Sequence, residues 1–156
     1  MKIGLYTGSF DPFTNGHLHV IRRSLELFDE VVVGIGVNPR KTRRFSAVEM
    51  QAAIEKTLLR EGLDRVRVIS YSGLTVDAAE ACNAVCLIRG IRNGMDYEYE
   101  ENLASVNEEI SGIDTIYIRA GEMGNISSSM VMELSSNGRD VSAYLPEEVN
   151  ALVSRE

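Results

Sequence analysis

Thr14, Asn15, Gly16 and His17 close a loop that begins at Gly8 and runs through Ser9, Phe10, Asp11, Pro12 and Phe13. An apolar, strand-like run (KIGLYT, 2–7) leads into this loop and a helical pattern leaves it, and a simple reversal of direction would need fewer residues. A glycine directly after a strand allows a tight turn or a close approach of backbone to ligand. Gly16 falls where the next helix begins, and a helix N-terminus holds anions through its unpaired N–H groups and the positive end of its dipole. His17 lies in the first turn of that helix, where the dipole opposes protonation. A neutral imidazole keeps one N–H to donate to a phosphoryl oxygen. His19, two residues on, belongs to a different helix face, so the two histidines do not form a metal pair.

Three further segments carry groups of the same kind. The stretch NPRKTRRF (38–45) places Arg40, Lys41, Arg43 and Arg44 within five residues, four of only sixteen basic residues in a chain of net charge −7. In RGIRNGMDYEYE (89–100), Arg89 and Arg92 bracket Gly90, so the backbone can approach a ligand while two guanidinium forks remain for phosphate oxygens. Asp96 and Glu100, four apart, share one helix face and can orient those arginines or receive polar atoms of a base or ribose. Ser127, Ser128 and Ser129 open another helix, where hydroxyls and unpaired N–H groups make a second anion cradle. Each segment also has a plain reading, as a solvated charge run, an exposed acidic helix or a simple N-cap. Taken together they suit a polyphosphate nucleotide and a second phosphorylated compound. The loop lacks the G-x-G-x-x-G spacing of dinucleotide binding and the Gly-Lys-Ser/Thr of a Walker loop.

These groups need a scaffold that brings them to one edge. Five short, β-branched segments read as strands, at 2–7, 30–37, 65–71, 84–90 and 114–119, three of them nearly continuous apolar runs as in strands buried on both faces. Helical patterns lie between them. Leu18, Ile21, Leu25 and Phe28 keep one face of the first; Met50, Ile54 and Leu58 mark the second, opened by a capping box from Ser46 to Glu49. Further helices are expected at 75–82, 96–110 and 128–136, and a last one with Pro146 in its first turn. Alternating strand and helix predicts an α/β fold, a doubly wound, mostly parallel five-stranded sheet with a C-terminal helix. Ligands of such sheets sit at the carboxyl ends of the strands, near the switch in strand order. No repeat or linker divides residues 1–156, so one domain is expected.

Bulk properties narrow the partners. An acidic chain is poorly matched to general nucleic-acid or anionic-membrane binding, so an anion must be held by local positive charge. The apolar runs fall far short of the ~20 residues that span a bilayer, and an intracellular, cytoplasmic protein is expected. Cys82 and Cys86 have no further Cys or His cluster to complete a zinc site and read as small core residues.

TGSFDPFTNGH (7–17), NPRK, RGIRNGMDYEYE and ISSS, in this order, resemble the bacterial phosphopantetheine adenylyltransferases, members of the T/H-x-G-H nucleotidyltransferases with a Rossmann-like fold. The resemblance runs from residue 2 to about 150. It implies transfer of the adenylyl group of ATP to 4′-phosphopantetheine, giving dephospho-coenzyme A and pyrophosphate. It also implies Mg²⁺ held mainly by phosphates rather than by protein ligands, a homohexamer, and feedback by coenzyme A. By the same resemblance His17 and Lys41 are catalytic, and Ser9, Lys41, Thr75 and Arg89 hold the acceptor. The ATP site is then Ser9, Phe10, His17, Gly90, Ile91, Arg92, Glu100 and the run Met123, Gly124, Asn125, Ile126, Ser127, Ser128, Ser129. Met123 and Asn125 stand where the family usually carries an aromatic and a phenylalanine, and no role is assigned to Arg43 or Arg44. The alternatives are a same-fold enzyme acting on nicotinamide mononucleotide or glycerol phosphate, and a non-catalytic nucleotide or coenzyme A sensor.

Overall fold

The computed structural model describes residues 1–155. Strands β1 (Ile3–Gly8), β2 (Glu30–Gly36), β3 (Val66–Tyr71), β4 (Cys86–Ile91) and β5 (Asp114–Arg119) form one sheet in the order β3-β2-β1-β4-β5, with every pair parallel. Helices α1 (Asn15–Ser24), α2 (Ala47–Arg60), α3 (Thr75–Ala81), α4 (Gly94–Ser111), α5 (Ser128–Ser136) and α6 (Glu147–Arg155) connect and follow them. The order runs outward from β1 in both directions, so the switch point lies between β1 and β4. The loops after those two strands flank the crevice where such sheets bind ligands.

Side chains on a strand alternate between faces, and here both faces are covered. Tyr6, Val31, Val33, Ile35 and Ile88 pack on one side against Ile21 of α1, Ile54 of α2, Val131 of α5 and Val149 of α6. Ile3, Leu5, Val32 and Leu87 pack on the other against Ala78, Ala79 and Cys82 of α3. That arrangement explains the unbroken apolar runs of β1 and β2, whereas the edge strands β3 and β5 are only partly buried. Cys82 and Cys86 are buried, unpaired thiols. No helix among the described residues is long and apolar enough to cross a membrane.

Three local expectations are revised. Helix α1 stops at Ser24, whose hydroxyl folds back onto the Val20 carbonyl, so Phe28 reaches the core from the following turn rather than from the helix. Asp29 and Glu30 are bound there to the Lys2 carbonyl, which obliges the chain to leave the helix early to enter β2. Ser46 does cap α2 by accepting from the Glu49 N–H, while no returning bond from the Glu49 side chain accompanies it. Pro146 precedes α6, and its carbonyl accepts from Val149 and Asn150.

Helix α6 is anchored to α2 by charge as well as by packing. Arg60 donates Nε to Glu148 Oε2 at 2.6 Å and Nη2 to Oε1 at 3.0 Å, and Thr57 donates to the same carboxylate at 3.0 Å. The hydrogen bond from Arg60 holds the Glu148 carboxyl well below its usual range, down to about 2. A depressed carboxylate pKa stabilises the fold above the unfolded-state value and loses that contribution as pH falls through the folded value. The window is therefore roughly pH 4.5 down to 2. Glu148→Gln is expected to lower Tm by about 2–4 °C at pH 7, with the difference from the parent closing by pH 2 to 3 in thermal melts.

Candidate active site

The loop after β1 is built around an unusual backbone. Phe10 has φ of 46°, a left-handed conformation that a bulky residue adopts at a cost of about 1–3 kcal/mol. Its ring turns inward and is almost fully buried. It stands edge-on to Tyr6 and to His17, with centroids 5.2 and 4.9 Å apart. A Cβ on Gly8 would lie 3.2 Å from that ring, so the glycine makes room for Phe10. Gly90 likewise accommodates α1, since a Cβ there would meet Val20 Cγ2 at 3.1 Å.

Thr14 is the N-cap of α1, and the cap is reciprocal. The Thr14 hydroxyl accepts from the His17 N–H, and His17 Nδ1 accepts from the Thr14 N–H at 2.9 Å. A glutamate or glutamine usually fills that returning role; an imidazole can do so only with Nδ1 unprotonated. The neutral ring therefore carries its proton on Nε2, which has no protein partner among the described residues. Packing by Phe10 and Phe13 removes water from the ring, and the charges of Arg89 and Arg92 add to that effect, pushing its pKa down to about 3. His17 is a neutral hydrogen-bond donor across the physiological range. His19 faces a separate cleft with Arg23, Tyr117 and Arg119.

Arg89 near the end of β4 and Arg92 just after it are matched to the two carboxylates of α4. Arg89 donates Nε and Nη2 to Glu100, each at 2.6 Å, and Nη1 to the carbonyl and hydroxyl of Thr7. Four of its five N–H donors are thus committed, leaving one on Nη2. Arg92 donates Nε to Asp96 Oδ2 at 2.8 Å and Nη2 to Oδ1 at 3.1 Å. Burial works against the Asp96 charge, yet the Arg92 hydrogen bonds outweigh it and hold this carboxyl below its usual value. Helix α4 is capped by Asn93, whose side chain accepts from the Asp96 N–H. Of the α4 side chains only Glu100 is buried.

Helix α5 supplies the opposite wall. The Ser127 hydroxyl accepts from the Met130 N–H as N-cap, and Ser128 donates to the Pro12 carbonyl at 2.7 Å, which locks α5 to the β1 loop. Ser129 alone of the three has an uncommitted hydroxyl. Together these walls enclose a cavity of about 280 Å³. Ser9, Phe10, Gly16, His17, Arg89, Gly90, Arg92, Asp96 and Glu100 border it on one side. Met123, Ile126 and Ser127 to Ser129 border it on the other. Ile91, Gly124 and Asn125 are not on its wall, and Lys41 is exposed in the turn after β2, outside it.

A second groove of about 320 Å³ lies beyond, lined by Leu74, Thr75, Leu103, Val106 and Asn107. Thr7, Arg89 and Glu100 border both spaces, so the Arg89–Glu100 pair is the partition between them. Thr75 shares its hydroxyl with Tyr71 at 2.9 Å. Thr7 and the capping role of Thr14 were not foreseen from sequence. For Thr14 a signal existed, because a threonine three residues before a helical histidine is half of a capping box.

Among the described residues no group of three His, Cys, Asp or Glu could cage a metal ion. Both cavity carboxylates are held by arginines. The cavity is thus lined by N–H donors and paired guanidinium groups, a lining chemically suited to anions, inside an acidic protein. Glu100→Ala would strand a mostly buried guanidinium, and it is expected to destabilise the fold by about 2–4 kcal/mol in urea denaturation.

A family model described as cytidylyltransferase-like matches residues 5–134. A Porphyromonas gingivalis protein named phosphopantetheine adenylyltransferase is 48% identical over 147 residues, which are 94% of this chain and 95% of that one. A Streptococcus pneumoniae protein of the same name is 44% identical over 151 residues, 95% of this chain and 92% of its own. Among solved structures, a Francisella tularensis bifunctional NMN adenylyltransferase/ADP ribose pyrophosphatase, complexed with AMP and a manganese ion, superposes with a TM-score of 0.74. It is 18% identical and covers 99% of this chain and 48% of that one, a likeness of fold alone.

Proposed function

The chain belongs to the phosphopantetheine adenylyltransferases of the cytidylyltransferase-like family, and on that premise we propose how its residues move the adenylyl group of ATP onto 4′-phosphopantetheine, yielding dephospho-coenzyme A and pyrophosphate. The acceptor's phosphate is itself the nucleophile, so no covalent enzyme intermediate and no strong base are needed. What the protein must do is bring two anions together and offset the charge that builds on the α-phosphate and the departing pyrophosphate.

The observation that carries this reading is His17 on the wall of a cavity rimmed by the N-termini of α1 and α5, with Nδ1 accepting from the Thr14 N–H so that Nε2 is left to donate. His17 Nε2–H donates to a non-bridging oxygen of the α-phosphate, and the N–H groups of Ser127 to Ser129 with the uncommitted Ser129 hydroxyl receive the β- and γ-phosphates. Arg92 adds charge beside them. Ser9, Phe10 and Gly90 bring backbone close to the nucleotide, with Met123 and Ile126 on its base and ribose side; a role for Ile91, Gly124 and Asn125 would require the base or ribose to extend past the cavity wall.

The acceptor lies in the second groove, whose apolar walls with Thr75 and Asn107 fit a flexible amide-bearing arm better than a nucleoside. Its phosphate then meets the remaining Nη2–H of Arg89 at the partition, with Glu100 fixing the guanidinium rather than touching ATP directly. Lys41 reaches the two phosphates from the rim by turning its side chain inward. Coenzyme A shares the arm and would compete for the same groove.

Because both cavity carboxylates are occupied, Mg²⁺ would travel with ATP and be coordinated by phosphate oxygens and water, where it neutralises leaving-group charge. The chain works as one nucleotidyltransferase unit in the cytoplasm. Along α4, Met95, Tyr99, Leu103, Val106 and Ile110 form a stripe of exposed apolar side chains at helical spacing, the last three of which also line the second groove. The part of the stripe outside the groove, Met95 and Tyr99, supports a homohexamer in which another copy packs against it.

Pyrophosphate release from ATP, measured over a panel of phosphorylated acceptors, tests the assignment. Phosphopantetheine is expected to be the active acceptor; turnover with nicotinamide mononucleotide and none with phosphopantetheine would overturn it. His17→Ala is expected to lower kcat by roughly 10²-fold or more, as for loss of a preorganised donor. With its pKa near 3, His17 should contribute no inflection to the kcat profile between pH 5 and 8.

A further inference from the structure

Arg43 lies in the loop between β2 and α2, where that loop is stitched to the loop after β1. Asp11 accepts from the backbone N–H of Arg44 at 2.7 Å and of Phe45 at 2.9 Å. The Arg43 side chain, only 13% exposed, donates Nε to the Phe45 carbonyl at 2.9 Å and Nη1 to the Ser9 carbonyl at 2.8 Å. Its Nη2 is buried without a hydrogen bond, 3.8 Å from Asp11 Oδ1.

The bond to Ser9 fixes more than one oxygen. A trans peptide is planar, so a carbonyl and the N–H that follows it point in opposite directions. Arg43 does not border the cavity, so a Ser9 carbonyl turned toward Arg43 turns the Phe10 N–H the other way. Phe10 does border the cavity, yet it is only 2% exposed because its ring packs among Tyr6, Phe13 and His17. Its N–H has no protein partner among the described residues. The backbone donor is what Phe10 presents there. The φ of 46° accompanies this peptide orientation, which an L residue does not adopt by default. An interaction from outside the loop has to hold it.

We propose that Arg43 is a positioning residue which, through the Ser9 carbonyl, holds the Ser9–Phe10 peptide with the Phe10 N–H aimed into the cavity as a phosphate donor. This rests on the cavity being the nucleotide phosphate site. Without Arg43 the peptide can rotate about Ser9 ψ and Phe10 φ, returning Phe10 to an ordinary conformation. The phosphates would then face a carbonyl oxygen where they had met an N–H, so a repulsive contact replaces an attractive one. The basic loop thereby acts on the reaction without touching substrate.

The test combines Arg43→Met, which keeps the length of the side chain and removes its donors, with ¹⁵N-labelled protein titrated with pyrophosphate. In the parent protein the amides of Phe10 and of Ser127 to Ser129 are expected to shift together. In the variant the serine amides should still shift, the Phe10 amide should not, and kcat/KM for ATP should fall at least tenfold; a role in stability alone would leave the Phe10 response intact. Arg43→Gln, too short to reach Ser9, is read in the same way should the methionine variant not fold. A parent protein whose serine amides respond while Phe10 stays silent would overturn the proposal, as would an Arg43→Met enzyme with the parental Phe10 shift and kcat/KM. Silence of the serine amides in the parent would instead overturn the proposed function, and this inference with it.

Discussion

The reciprocal hydrogen bonds between Thr14 and His17 are the contact on which the site depends. They begin α1, and through Nδ1 they decide where the imidazole keeps its proton. One pair of bonds therefore sets both the start of the helix and the donor that faces the cavity. Desolvation by Phe10 and Phe13, with Arg89 and Arg92 nearby, removes the alternative of a charged ring. The aromatic cluster under the β1 loop bears on the proposed chemistry in this sense: its packing keeps His17 neutral, and it includes the ring of Phe10, whose backbone is left-handed.

The second constraint is charge. A chain of net charge −7 has to hold two anionic substrates, and the structure meets this with paired groups and dipoles instead of a broad basic surface. Asp96 and Glu100, on one face of α4, hold the arginines at and just beyond the end of β4 in fixed orientations, and Asp11 does the corresponding work between the loops after β1 and β2. Each carboxylate lowers the local positive charge but removes conformational freedom from a donor. That exchange favours preorganisation, which matters most where charge builds only in the transition state.

Much of this was legible in the sequence because it is local or periodic. Buried strands reveal themselves as apolar runs, and two of the helix starts as Ser46 and Ser127 before apolar spacing. The spacing of Asp96 and Glu100 likewise anticipated that they could orient Arg89 and Arg92. Contacts between distant segments were not legible. Thr7 receiving Arg89, Ser128 reaching Pro12 and Arg43 reaching Ser9 span 82, 116 and 34 positions and leave no pattern along the chain. Phe28 was placed on a helix because its spacing fits one; the early exit of α1 depends on where β2 must pair. Arg89 looked like an open fork, and only the fold shows that most of its donors are already committed.

The central claim is that His17 is a neutral imidazole protonated on Nε2, and ¹⁵N NMR of its ring across pH 5 to 8 tests it most directly. The account predicts an unprotonated, hydrogen-bond-accepting Nδ1 and a protonated Nε2 throughout that range, with no titration. A ring protonated on both nitrogens at pH 6, or one carrying its proton on Nδ1, would contradict it.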